Sequence, residues 1–195
     1  MAVLSLRDCL VSNIRKIHPL LKDKRVLGRG SFCRVFEGTR KNRVLKLTAD
    51  RSHVQYLTDD RSPHGRFKPI VHENHGIVGQ TKHGVEVHLL EIERLGKLRP
   101  GTPAFKLAIA LSSYCRLQGT LLPIFKDRNK EALRNVRHLL SHELLAFMSE
   151  VNFFTIFSNC SLDMHRANFM ERADGTLVFS DPVFDKRIML RREHW

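Results

Sequence analysis

The sequence lacks an uncharged apolar stretch of the ~18 to 20 residues needed to cross a bilayer; its best candidate, around Phe105 to Leu111, is short and contains Lys106. A membrane span is therefore not expected. A secretory leader is missing too, because Arg7 and Asp8 interrupt the apolar start. Leu6, Leu10, Ile14, Ile17 and Leu21 recur there at helical spacing, which predicts an amphipathic helix within residues 1–24. Cysteine is sparse: Cys9, Cys33, Cys115 and Cys160 make no CxxC pair, so they read as isolated small hydrophobes of a reducing compartment, the cytosol. No repeat and no low-complexity tract is present, and 42% hydrophobic residues with 27% charged exclude wholesale disorder. At 195 residues, one domain or two small lobes sharing a cleft is expected.

Acidic residues are the other scarcity. Lys and Arg number 33 against 20 Asp and Glu, a net charge of +13, and residues 1–48 alone hold 12 basic and 3 acidic side chains. This field favours a polyanionic partner: nucleotide phosphates, nucleic acid or an acidic protein. Nucleic acid is the less favoured, since no aromatic interleaving or recognised nucleic-acid module accompanies the charge. Arg15, Lys16, Lys22 and Lys24 are candidates for recruiting an acidic protein partner.

Pattern along the chain predicts a β-rich first half. Arg25 to Glu37 reads as strand, glycine turn and returning strand, and Arg43 to Thr48 as a third strand. A short helix near Ser52 to Leu57 follows, then a hairpin built from His75 to Gln80 and Val85 to Leu95 that turns at Lys82-His83-Gly84. Beyond a linker at Arg94 to Gly101 the period becomes helical. Thr102-Pro103 starts one helix, with Leu107, Leu111 and Tyr114 on a face and Gly119 as its stop. A single second helical stretch from near Asn129 carries Leu133, Val136, Leu140, Leu144, Phe147, Val151 and Phe154. A closing hairpin turns at Asp174-Gly175.

Two constellations carry chemistry. The first is Gly28-Arg29-Gly30-Ser31-Phe32 between two strands, then Val35 and Lys46. Glycines let backbone amides approach phosphate, a Phe at the tip covers the bound group, and a strand lysine supplies compact positive charge. Taken alone, such a GxG is most often an ordinary hairpin turn. The second is Asp163, Asn168 and Asp181. Asn168 and Asp181 sit at the outer ends of the closing hairpin and should be neighbours. Their hard oxygens suit Mg²⁺ carrying phosphate, with Asp163 placed to orient a hydroxyl nucleophile. His138 and His142, four apart, have no third ligand for zinc, and His72-Glu73-Asn74-His75 reads as a polar turn.

The order of cradle, lysine, base loop and metal hairpin resembles the protein-kinase-like family over roughly residues 25–185. GRGSFCRV is similar to its glycine-rich loop, Val44 to Lys46 to its lysine strand, Leu89 to Leu95 to its gatekeeper and hinge, LDMHRANFM to its catalytic loop, and SDPV stands in place of DFG. Within that family, LDMHRANFMERADGTLVFSDPVF most resembles the early serine/threonine kinases of T-odd, podovirus-type bacteriophages. The resemblance implies a two-lobed α/β (α+β) fold, with a β-rich nucleotide-binding N-lobe over residues 25–95 and a minimal helical C-lobe over 96–195. It also implies ATP and Mg²⁺ as cofactors, Gly28, Gly30, Phe32, Val35, Lys46, Glu91 and Glu93 around the nucleotide, Lys46 and Asp163 in catalysis, and Asn168 and Asp181 on metal. By the same resemblance the chain acts in the bacterial host cytoplasm on host proteins, RNA polymerase or another acidic target among them, with shut-off of host transcription as the outcome. Departures are Cys33 at the third glycine, Ser161-Leu162 before the catalytic Asp, and no Glu between Lys46 and Lys68. Asp59, Asp60 or Glu73 is then left to pair with Lys46. Only 14 residues follow Asp181, so the usual peptide-docking segment is not expected. Two alternatives stand beside this reading: a small-molecule phosphotransferase of the aminoglycoside type, whose DxHxxN loop His165 resembles, and a degenerate kinase fold acting as a stoichiometric basic inhibitor.

Overall fold

The structure is a computed structural model describing residues 11–190 except 62, 82, 119, 120 and 122–130. Mixed α+β architecture is divided between two units. One takes the chain up to Thr58, Ile70–Arg94 and the residues from Arg187 on; the other takes Asp59–Pro69 and Leu95–Lys186.

The first unit is built on a five-stranded antiparallel sheet: β1 (Val26–Arg29), β2 (Cys33–Glu37), β3 (Arg43–Thr48), β4 (Val71–Gln80) and β5 (Glu86–Glu93), in spatial order β1-β2-β3-β5-β4. Alternation along β2, β3 and β5 sends Phe36, Leu45, Leu47 and Leu89 to one face. There they pack with Ile14 and Leu21, contributed by helix α1 (Val11–Ile17) and the turn after it. Each such burial is worth roughly 1.5–3 kcal/mol. The helical stripe read from the sequence fails at one member, because Ile17 is 41% exposed. The helix ends at that residue, the chain turns through His18, and Leu21 reaches the core from the turn instead of from a further helical repeat. Leu6 and Leu10 lie outside the described residues.

The opposite face carries Val35, Lys46 and Leu90, which face one another across β2, β3 and β5. Helix α2 (Arg51–Thr58) follows β3 directly, and Asp50 caps it by accepting from the His53 amide at 3.0 Å. The segment His72 to His75, read as a turn, lies within β4. A bulge there places Gly76 at φ +72, with Asn74 Oδ1 accepting from its amide.

The second unit holds α3 (Pro103–Gln118), α4 (Glu131–Arg134), α5 (His142–Phe157) and two short strand pairs, β6 (Cys160–Leu162) with β9 (Val183–Asp185) and β7 (Phe169–Glu171) with β8 (Leu177–Phe179). Helix α6 (Lys186–Leu190) is the last described element. Thr102 starts α3 as its pattern predicts, accepting from the Phe105 amide at 3.2 Å. The single helix expected from Asn129 onward is instead broken. Ser141 takes an extended conformation and caps α5 through the Leu144 amide at 3.1 Å, so the apolar period crosses a break that periodicity cannot register. Its core members Leu133, Val136, Leu140, Leu144, Phe147 and Val151 are nevertheless buried. Phe147 packs edge-on against Phe179 at 5.1 Å, and Phe179 packs on Phe169 at 5.0 Å, which ties α5 to the β7–β8 hairpin. None of the described helices is long and apolar enough to cross a membrane.

Candidate functional site

The first set of residues lies in the sheet unit. The turn from Arg29 to Cys33 is closed by the Gly30 amide donating to the Cys33 carbonyl at 2.9 Å, so that amide serves the hairpin itself. A Cβ at Gly30 would come within 3.0 Å of Cys33 Sγ, whereas one at Gly28 would meet only Val35, at 3.9 Å. The Phe32 carbonyl accepts from the Ala49 amide at 3.1 Å and from Thr48 Oγ1 at 3.2 Å, fastening the loop tip to the end of β3.

Lys46, in the middle of β3, is 5% exposed, and its Nζ lies 2.7 Å from His53 Nε2 on α2. An ammonium can only donate, so in this contact Nε2 is the acceptor. His53 is not among the partners expected for Lys46, since the kinase-like resemblance asks for an acid there. Of the acids the sequence offers for this role, Asp59 grips Arg61 at 2.7 Å and Glu73 stands exposed 3.4 Å from His75. The guanidinium of Arg61 holds the Asp59 carboxyl down to about 2, against the smaller opposing effect of burial.

Glu91 and Glu93 flank the end of β5. The Glu91 carboxylate is 1% exposed and commits one oxygen to the Thr39 amide and hydroxyl, at 2.8 and 2.6 Å, and the other to Arg43 at 3.0 Å. Burial pushes this carboxyl up, but those hydrogen bonds outweigh it and hold the group down at about 2. Glu93 accepts from the Ile70 amide at 3.1 Å. Both glutamate side chains thus fasten loops to the sheet.

The second set lies in the helical unit, where two strand pairs bring it together. Pairing of β7 with β8 puts Asn168 beside the far end of the hairpin: its carbonyl accepts from the Ser180 amide at 2.9 Å and the Asp181 amide at 3.3 Å. Pairing of β6 with β9, which the sequence pattern does not announce, brings in Asp163, whose amide donates to the Pro182 carbonyl at 2.7 Å. Asn168 Nδ2 then donates to the Asp163 carbonyl at 2.7 Å, leaving its Oδ1 as an acceptor. Burial raises the Asp163 carboxyl above its ordinary value; His165 and the Asn168 side chain oppose this, and the nearby Asp181 charge adds to it.

His165 caps the turn Arg166–Asn168, with Nδ1 accepting from the Ala167 amide at 3.2 Å. Nε2 of the same ring faces Asp163 Oδ1 at 3.9 Å. The set offers two carboxylates and one amide oxygen, a hard-oxygen set that suits Mg²⁺ completed by phosphate oxygens and water. Among the described residues no cluster of three or more His, Cys, Asp or Glu could hold a metal without such help.

The remaining candidates divide. His138 and His142 are exposed and sit on separate elements, the short turn Arg137–Leu139 and α5. Cys160 is buried on β6, and burial lifts the Cys115 thiol to about 12. Arg15, Lys16 and Lys22 are exposed, whereas Lys24 donates to the Gly38 carbonyl at 3.0 Å.

No known family model matches the chain, and no curated protein is similar to it in sequence. Among solved structures, the ternary complex of streptomycin, ATP and APH(2")-IIa superposes with a TM-score of 0.33 at 14% identity, covering 95% of this chain and 74% of that one. At that score the superposition fixes neither fold nor chemistry.

Proposed function

We propose that the chain is an ATP- and Mg²⁺-dependent phosphotransferase of kinase-like design, acting on the serine or threonine hydroxyls of proteins. The observation that carries this reading is the convergence of Asp163, Asn168 and Asp181 through two separate strand pairs. A buried lysine on the third strand of an antiparallel sheet, held by the helix that follows, is the second part such chemistry uses. In this reading Lys46 neutralises phosphate charge and Asp163 accepts a hydrogen bond from the attacking hydroxyl, aligning its lone pair and receiving its proton late in the reaction. Asn168 and Asp181 would hold Mg²⁺, which when bound offsets charge on the phosphates. The small-molecule alternative keeps the same residues in the same roles and differs only in the acceptor. Bacterial host proteins as targets follow from the likeness of residues 162–184 to the phage kinases.

The experiment is incubation of the purified chain with γ-labelled ATP, Mg²⁺ and a bacterial lysate, followed by acid hydrolysis and separation of phosphoamino acids. Labelled phosphoserine or phosphothreonine is the expected result. Label found only on small molecules would move the acceptor to the alternative class, and no label in any fraction would contradict phosphotransfer.

A further inference from the structure

Beside Asp163 the helical unit contains a cavity of about 440 Å³, within the range of pockets that take a small molecule or a few side chains. Ser112, Ser113 and Arg116 of α3 line one side, and Asp163, His165 and Arg166 line the other. The charge balance is specific. Among the described lining residues two guanidiniums stand against one carboxylate, that of Asp163, and that carboxylate is the group assigned above to the acceptor hydroxyl. Arg166 is steadied on the rim by the Phe105 ring, 5.8 Å from its guanidinium carbon. Arg116 is exposed on the last turn of α3. Ser112 Oγ is buried and has no hydrogen-bond partner among the described residues, so a polar group there stands ready for a ligand.

A hydroxyl compound entering this space is drawn in by its anionic groups and opposed by its cationic ones. We propose that the cavity is the acceptor pocket and that it selects a hydroxyl flanked by carboxylate or phosphate, with Arg116 and Arg166 pairing with that anion while the hydroxyl reaches Asp163. The assignment rests on the phosphotransferase reading for the role of Asp163, but the anion preference stands on the lining alone. Guanidinium is suited to it, since its fork meets carboxylate and phosphate with two parallel hydrogen bonds. A polycationic acceptor is disfavoured by the same charges.

The test uses the full chain and three fluorescent peptides of equal length, each with one central serine flanked by Asp and Glu, by Ala and Gly, or by Lys and Arg. Binding is read by anisotropy, and transfer of label from ATP is read in parallel. The acidic peptide should bind at least about tenfold more tightly than the neutral one. Arg116→Glu, at an exposed position, should erase that preference, and Arg116→Lys should retain most of it. Glycerol 3-phosphate as competitor separates the sources of the anion: displacement of the acidic peptide shows that a small hydroxy-phosphate suffices, and no displacement shows that peptide context is needed. Equal affinity for all three peptides, preference for the basic one, or a preference untouched by Arg116→Glu would overturn the pocket. Arg116-dependent binding of the acidic peptide without any transfer would instead sustain the anion-selective pocket and overturn the phosphotransferase reading.

Discussion

Lys46 meets the His53 ring on the neighbouring helix, where a kinase-like resemblance asks for an acid. The His53 ring fixes where the Lys46 ammonium sits, on the side of the sheet that α2 covers. His53→Gln should preserve a side-chain acceptor at this place, and His53→Ala should remove it. We expect His53→Ala to lower kcat/KM for ATP by about tenfold or more, with His53→Gln restoring much of the loss. Circular dichroism and thermal denaturation of both variants separate this from unfolding. Equal losses in the two variants at equal stability would show that His53 only fills space.

Glu91 makes the pH dependence of stability predictable at the same scale. Its carboxyl sits at about 2 in the folded chain against 4.5 unfolded. A depressed carboxyl stabilises the fold at every pH above its unfolded value, and that contribution fades as acid titrates it from about 4.5 toward about 2. Tm should therefore fall across this window. Glu91→Gln should lower Tm at neutral pH, by the equivalent of about 2 kcal/mol, because Arg43 loses its buried partner. It should also flatten the acid limb; an acid limb of unchanged slope would remove Glu91 from the account.

Elements were legible in the sequence where one local rule sufficed. The β1 to β3 meander followed from alternation around a glycine turn, α3 from Thr102-Pro103, and the β7–β8 hairpin from Asp174-Gly175, where Gly175 takes φ +87. Pairing of β6 with β9 was not legible: each strand has three residues, and Cys160 meets Asp185 only after an intervening hairpin folds. That pairing sets Asp163 beside Pro182, so a decisive part of the candidate site lay beyond local pattern. The expected site members Asn168 and Asp181 are readable as hairpin ends, whereas nothing local marks His53, a histidine where the resemblance asks for an acid. The break before α5 was hidden for a related reason, since apolar spacing continued through it. Ser141→Ala should cost about 1 kcal/mol by removing the cap on the Leu144 amide, read as a lower urea midpoint with unchanged m. No change in midpoint would mean that Ser141 does not hold the helix start.

For the molecule as a whole, the proposed phosphoryl transfer from ATP calls on the lysine set of the β-rich unit and on the carboxylate set of the helical unit. The charge of +13 agrees with polyanionic ligands in general and does not choose among them. The decisive measurement compares the wild-type chain with Asp163→Asn for transfer of label from Mg²⁺-ATP to protein and for Mg²⁺-ATP affinity by calorimetry. The account predicts transfer lowered at least ~100-fold, because the hydroxyl loses its oriented acceptor, with nucleotide affinity changed little. Transfer by Asp163→Asn at the wild-type rate, or a wild-type chain that binds no Mg²⁺-ATP, would contradict it.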